Sequence, residues 1–487
     1  MNPSSYANLP ERFFARVAPT PVAAPQLIKF NRELAAELAL ADAGPDGSGA
    51  ASLYSGNVLA AGTTPIALAY AGHQFGHFVP QLGDGRAILL GECRGRCGTR
   101  FDVQLKGCGR TPYSRSGDGR AALGPVLREY IVSEAMHALR IPTTRALAAV
   151  TTGESVQREE LTAGAILTRV AASHVRVGTF EYFAARGDVA ATRMLADYVI
   201  ARHYPEVADN NEPYLALLSA VIGRQAALIA HWMLVGFVHG VMNTDNMAVS
   251  GETIDFGPCA FMDVYDPATV FSSIDRHGRY AYGNQPHAGA WNLARFAETL
   301  LPLIDANLER AVERAGEIVG TFPASFAEAW LAGLRLKLGL SSARSEDQAL
   351  GESLLTLMHD NQADFTVTFR TLCGAAGGVE GDIPMRALFA KARAYDEWAQ
   401  RWRARLAVEP RPPAARAAAM RLANPAYIPR NHRVEQMINA AVERQDFGPF
   451  EKLAAVLSQP YCNQAIFDPY AEPPLPDERV TQTFCGT

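Results

Sequence analysis

The sequence predicts an α+β protein of two unequal lobes, a mixed strand-and-helix lobe over about 49–150 and a mostly helical lobe over about 151–410. An N-terminal extension (1–48) and a C-terminal helical segment (411–487) flank them. Three observations carry this reading. Phe101-Asp102-Val103-Gln104-Leu105-Lys106 alternates apolar and polar residues with the period of two that marks a half-buried strand. Pro125 opens a run to Met136 with the composition of a helix. Tyr214 to Met242 is the most apolar stretch, yet it contains Arg224, Gln225, His231 and His239, so it reads as a buried helix rather than a membrane span.

Taken in order, residues 1–48 read as an irregular extension with Ala-, Pro- and Gly-rich patches ending at Ala43-Gly44-Pro45-Asp46-Gly47-Ser48-Gly49. Gln81 to Leu90 resembles a hairpin whose turn is Gly83-Asp84-Gly85, with Arg86 directly after it. Backbone amides in such a turn approach phosphates closely, although hairpins also use glycines for steric reasons alone. Lys106 ends its strand, and Glu129 follows 23 residues later inside the helix. A strand Lys paired with a helix Glu orients a phosphate-binding amine, while a solvated pair is the plainer alternative. Arg169 and Arg176 are seven apart, so on a helix both guanidiniums share one face; surface arginines are the alternative. Arg411-Pro412-Pro413 marks a break before the C-terminal helices, and no repeat of 20 to 50 residues is visible.

The chemistry concentrates between 239 and 257. His239-Gly240-Val241-Met242-Asn243-Thr244-Asp245-Asn246, followed by Asp255-Phe256-Gly257, has the layout of a protein-kinase metal site. The metal-binding Asn falls in register at Asn246, but the usual base position is Val241, which accepts no proton. Either the chain is catalytically dead or it performs different chemistry in a kinase-like pocket.

Composition sets outer bounds. A net charge of -5 gives no basic surface for nucleic acid. Hydrophobic content of 48% and charged content of 20% are those of a globular protein, with no membrane association expected. Met1 to Pro10 shows no basic segment followed by an apolar core, so no secretory signal is expected. The seven cysteines are scattered and odd in number, which favours a reducing, cytoplasmic setting over a disulfide framework.

Several runs together resemble the selenoprotein O family. They are Tyr70-Ala71-Gly72-His73-Gln74-Phe75-Gly76, the Gln-Leu-Gly-Asp-Gly-Arg run at 81–86, Gln104-Leu105-Lys106-Gly107, Gly117-Asp118-Gly119-Arg120-Ala121, the 239–246 loop and Asn424-Pro425-Ala426-Tyr427-Ile428-Pro429-Arg430-Asn431. The family's members are protein adenylyltransferases, or AMPylators, of kinase-like fold. They bind ATP turned round, with the α-phosphate toward the acceptor. The resemblance implies Asp245 as proton acceptor, and Asn246 and Asp255 as ligands of Mg²⁺ or Mn²⁺, with Asp255 also reaching ATP. It implies Gly83, Gly85, Arg86, Lys106, Asp118, Gly119, Arg169 and Arg176 as nucleotide-binding positions and Glu129 as partner of Lys106. Its acceptors are Ser, Thr or Tyr hydroxyls of proteins. Family members in some organisms carry selenocysteine near the C-terminus, where this chain has Cys485, so a redox role stands beside that of an inert thiol. Two rival functions stay open at this point: a γ-phosphate-transferring kinase with Asp245 as a shifted base, and an ATP-binding scaffold without catalysis.

Overall fold

An eight-stranded antiparallel sheet organises the first part of the chain in a computed structural model that describes residues 1–40 and 48–484. Its strands are β1 (Phe14–Arg16), β2 (Gln26–Phe30), β3 (Ile66–Leu68), β6 (Ala87–Arg94), β7 (Arg100–Lys106), β8 (Ala121–Ala122), β9 (Arg145–Gln157) and β10 (Leu161–Ala171). The order across the sheet is β1-β3-β6-β7-β10-β9-β2, with β8 paired to β10. A separate hairpin joins β4 (Gly72–Gln74) to β5 (His77–Val79). The expectation of an irregular N-terminal extension is corrected here, because β1 and β2 form the two edges of the sheet. Short strands of this kind take their stability from the sheet they close, so they carry little periodic signal of their own.

Strand β7 also differs from the half-buried expectation. Asp102 and Gln104 are as buried as Val103 and Leu105. The polar face is covered because each polar side chain has a built partner: Asp102 pairs with Arg202 at 2.7 Å, and Gln104 donates to Asp84 at 3.0 Å. Buried polar groups are tolerated where they are hydrogen-bonded.

Three helices cover the sheet, and a fourth follows it in the chain. Helix α1 (Arg32–Glu37) and helix α2 (Ser48–Tyr54) cover one side, where Leu34, Tyr54, Val103 and Val150 pack together. Helix α3 (Leu123–Ala138) lies on the other side, beginning two residues before the expected Pro125. Leu127, Tyr130 and Ile131 of α3 pack against Val434, Met437, Phe450 and Leu453 of the C-terminal helices Asn431–Arg444 and Gly448–Leu457. The Tyr130 and Phe450 rings meet edge to face at 5.4 Å. The C-terminal segment therefore buttresses the helix that carries Glu129. Helix α4 (Val177–Ala184) follows β10 directly.

The remaining helices build the second, larger core. Helix α5 (Val189–His203), helix α6 (Pro213–Val235) and helix α7 (Gln285–Ile304) enter it, and Leu217, Val221, Leu228 and Ile229 of α6 are buried there. By length and composition α6 is long and apolar enough to cross a membrane, but its apolar face is spent on this packing. Each fully buried Leu or Ile contributes roughly 1.5–3 kcal/mol. Gly236 stops α6 in the left-handed conformation, φ 73°, which glycine adopts without a Cβ penalty. The chain then enters β11 (Phe237–Val238), which pairs with β12 (Ala260–Phe261) in the register Phe237↔Phe261 and Val238↔Ala260. That two-strand clasp closes the base of the 239–259 segment, so Asp245, Asn246 and Asp255 are held on one tied loop.

Candidate active site

Three cations converge on one carboxylate. Lys106 Nζ, at the end of β7, lies 2.8 Å from Asp255 Oδ1 and 2.7 Å from Glu129 Oε2 of α3. Arg169 Nη1 lies 2.6 Å from Asp255 Oδ1 and 3.3 Å from Glu129 Oε1. Arg176 Nη1 pairs with Asp255 Oδ2 and donates to the Asp245 carbonyl at 2.5 Å. The expected Lys106–Glu129 pair is thus present, and it is buried rather than solvated.

The expectation that a helix aligns the two arginines is corrected. Arg169 is on strand β10, and Arg176 is the residue that precedes helix α4. Convergence comes instead from the chain's turn out of the sheet, with Val177 N donating to Met247 O and Val249 N to Val175 O. Arg169 is further fixed by Gln104 Oε1, which accepts from its Nε at 2.7 Å, and Arg176 lies over the Tyr70 ring at 4.8 Å. Gln104 and Tyr70 stood in quoted motifs but carried no assigned role, since only the cross-strand pairing Arg169↔Gln104 brings the first into play.

Electrostatically, three cations pair directly with the two carboxylates Glu129 and Asp255, and the buried carboxylates of Asp84 and Asp245 also act on Arg176. Burial pushes the Asp255 carboxyl up, but Arg176, Lys106 and Arg169 together outweigh it and hold it well below the usual carboxylate range. Arg169 and Arg176 are raised despite burial, chiefly by Asp255. Fixed cations gathered at one place favour a polyanionic ligand.

The base loop stands beside this cluster. Asp245 is 8% exposed, and burial pushes its carboxyl up to about 6 while Arg176 pulls the other way. Its Oδ1 is buried without a hydrogen-bond partner, whereas Oδ2 accepts from Gln74 Nε2 at 3.3 Å. His239 is structural: its Nε2 lies 2.9 Å from Ile254 O, tying the two halves of the loop. Asp255 itself has φ 63°, an uncommon conformation for a residue with a Cβ.

The glycine-rich segments are arranged differently from the expected hairpin. Gly83-Asp84-Gly85 does not join two paired strands, because β5 pairs with β4 and β6 with β3 and β7. The loop turns inward instead: Asp84 N donates to Leu68 O, and Asp84 Oδ2 accepts from Leu68 N and Gln104 Nε2. Asp84 is therefore buried, and burial lifts its carboxyl to about 6, with Arg176 drawing it down. Gly83 has φ 82°, and a Cβ there meets the Tyr113 ring at 2.4 Å, so the glycine allows two loops to touch. The second of those loops runs on to Asp118 and Gly119. Asp118 pairs with Arg158 at 2.9 Å and caps Arg120 N. Arg86 shares a shallow cleft with Lys106, Glu129, Phe256, Gly257 and Phe484.

Two residues fit a divalent cation. Asn246 spends its amide NH₂ on Val241 O at 2.9 Å, which leaves the amide oxygen as a ligand atom. Asp255 supplies a carboxylate that is ionised under all ordinary conditions. Hard oxygen donors in small number, completed by phosphate, suit Mg²⁺ or Mn²⁺. Among the described residues no group of three His, Cys, Asp or Glu side chains forms a cage for a metal, so the ion would share its coordination with the nucleotide. Cys485 lies outside the described residues. The preceding Thr483 is pinned, its N donating to Phe271 O at 2.7 Å and its hydroxyl to Pro258 O at 2.5 Å.

A family model described as protein adenylyltransferase SelO matches residues 2–458. The chain belongs to this family. Similar SelO-type relatives are the "Protein nucleotidyltransferase YdiU" of Rhizobium rhizogenes, 64% identical over 484 residues covering 99% of this chain and 96% of the relative. Those of a Bradyrhizobium species and of Rhizobium meliloti are 63% and 61% identical, covering 99% of this chain and 98% and 99% of their own. The resemblance read from the motifs is borne out along nearly the whole chain. In this chain of the SelO family, three cations rather than one meet on the Asp255 carboxylate, beside the 239–246 loop.

Proposed function

We propose that this SelO-family enzyme adopts a kinase-like two-lobed arrangement and transfers AMP from ATP to Ser, Thr or Tyr hydroxyls of proteins, with release of pyrophosphate. The observation that carries it is the convergence of Lys106, Arg169 and Arg176 on Asp255. Attack at the α-phosphate builds negative charge on the departing β- and γ-phosphates, and three fixed cations stabilise that charge as it forms. Simple γ-transfer has less use for so many.

In this reading the acceptor hydroxyl oxygen forms a bond to the α-phosphorus, and the bond from that phosphorus to the bridging oxygen of pyrophosphate breaks. The Asp245 carboxylate takes the hydroxyl proton. General-base help of this kind is worth roughly 10²–10⁴-fold. Lys106, Arg169 and Arg176 bind the β- and γ-groups, while Arg86, Gly83, Gly85, Asp118 and Gly119 hold the rest of the nucleotide. Glu129 keeps Lys106 and Arg169 aimed. Mg²⁺ or Mn²⁺, held by Asn246 and Asp255, would neutralise phosphate charge when bound. We place the enzyme in the cytoplasm, away from membranes and nucleic acid, which fits the scattered cysteines and the acidic net charge.

The test is label position. ATP labelled at the α-phosphate should transfer label to a protein acceptor, and ATP labelled at the γ-phosphate should not. Transfer from the γ position alone would establish a kinase instead, and none from either would leave a binding scaffold.

A further inference from the structure

The β4–β5 hairpin holds the base loop at three consecutive residues. His73 N donates to Thr244 Oγ1 at 2.7 Å, Gln74 Nε2 to Asp245 Oδ2 at 3.3 Å, and Phe75 N to Asn243 Oδ1 at 3.0 Å. Glu181 of α4 locks the arrangement from behind, with one oxygen 2.5 Å from His73 Nδ1 and the other accepting from Thr244 Oγ1 at 2.5 Å. The approach is close enough that a Cβ at Gly72 meets Asp245 Oδ1 at 2.5 Å. Gly72 is therefore glycine for proximity to the carboxylate, since its backbone is not among the positive-φ glycines.

We propose that Gln74 is a positioning residue for adenylyl transfer, setting the rotation of the Asp245 carboxylate for the incoming hydroxyl. This rests on the reading of Asp245 as proton acceptor. The hairpin's backbone already secures Thr244 and Asn243, so the Gln74 side chain adds nothing to the hold on the loop except its bond to the carboxylate. The asymmetry of Asp245 follows from it. Oδ2 has a donor, and Oδ1 is buried with none. Oδ1 is turned against Gly72, so the bond from Gln74 to Oδ2 is what sets the rotation of the carboxylate. An amide suits the task better than a cation, because it orients the carboxylate without neutralising it.

The experiment compares Gln74→Ala and the isosteric Gln74→Glu with the parent and with Asp245→Ala, using steady-state transfer from α-labelled ATP. Both Gln74 variants should lose about ten- to a hundredfold in kcat, with KM for ATP within about twofold of the parent and the unfolding midpoint unchanged. Gln74→Glu fills the same space but presents an acceptor to an acceptor, so it should not rescue. A kcat near the parent value in both variants, full activity in Gln74→Glu, or KM for ATP rising in step with the loss of kcat would overturn the inference. Asp245→Ala separates the two levels. If it is inactive while the Gln74 variants are normal, only the positioning role fails; if it is fully active, the assignment of the base fails and takes the role of Gln74 with it.

Discussion

Arg169 Nη1 bridges Glu129 Oε1 at 3.3 Å and Asp255 Oδ1 at 2.6 Å, and the second of these contacts makes Asp255 a counter-ion that Arg169 shares with Lys106 and Arg176. In the free protein the residue that would bind metal is thus held by the groups that would bind phosphate. In the reading proposed above, a bound metal–nucleotide complex would draw Lys106, Arg169 and Arg176 toward phosphate and leave Asp255 to hold the ion. Glu129, on the helix that the C-terminal helices buttress, would keep its pairs to Lys106 and Arg169.

Removing that counter-ion should have two separable effects. Asp255→Ala should abolish transfer and metal-dependent ATP binding. It should also lower the unfolding midpoint, because loss of one partner from a buried ionic cluster costs roughly 3–5 kcal/mol. Tripolyphosphate without metal should recover part of that midpoint by supplying charge to Lys106, Arg169 and Arg176. Full activity with EDTA-sensitive turnover in this variant would mean that the metal site lies elsewhere.

Arg176→Lys should not be conservative. One guanidinium nitrogen reaches both the Asp245 carbonyl and Asp255, and the group lies over the Tyr70 ring at 4.8 Å. An ammonium reproduces the charge but not the reach of a planar group that meets both oxygens and the ring at once. A drop in kcat/KM for ATP of about tenfold or more is expected. Parity with the parent would show that charge alone suffices.

Acid should destabilise the fold before it reaches the carboxylate range. Burial pushes the His174 imidazole down to about 4 and that of His432 to about 4, so both are neutral when folded and charged when unfolded below about 6.5. The folded pKa lies below the unfolded one, so the stabilisation is complete above pH 6.5 and is lost as pH falls from 6.5 toward 4. The slope is about 1.4 kcal/mol per pH unit for each such histidine in that window. Urea unfolding at pH 7, 6 and 5 should show the decline, and His174→Gln should make it shallower. Asp84 and Asp245, lifted by burial to about 6, act in the opposite sense over this window, so the deciding comparison is between variant and parent: a His174→Gln profile that coincides with the parent's would contradict the burial of that ring.

The C-terminal thiol has its own test. Thr483 is anchored to Phe271 and Pro258, so the tail enters the neighbourhood of the Asp255-Phe256-Gly257 turn before Cys485. Cys485→Ser should alter the response of activity to oxidant and reductant. The same response in variant and parent would reduce Cys485 to a bystander.

The linear order of residues by itself determined the chemistry at 239–257 and the family. Asp245, Asn246 and Asp255 sit in one short segment, so their relation survives as spacing, and Val241 at the usual base position reads directly as a change of chemistry. The strand of Lys106 and the helix of Glu129 were legible because each is long enough to express a period. Tertiary structure alone decided how Arg169 and Arg176 meet: seven residues apart suggested one helix, yet a strand end and a helix start bring them together, because β10 leaves the sheet at Ala171 and the chain is captured by the 247–249 segment. It also decided that Gly83-Asp84-Gly85 folds inward, since the competing partner of Asp84 is Leu68, 16 residues earlier, and no local pattern encodes that bond. The N-terminal edge strands were invisible for the same reason, being stabilised by pairing with β3 and β9 rather than by their own composition. Gln74 and Asp245 are 171 residues apart, and only the packing of the hairpin on the loop makes them neighbours.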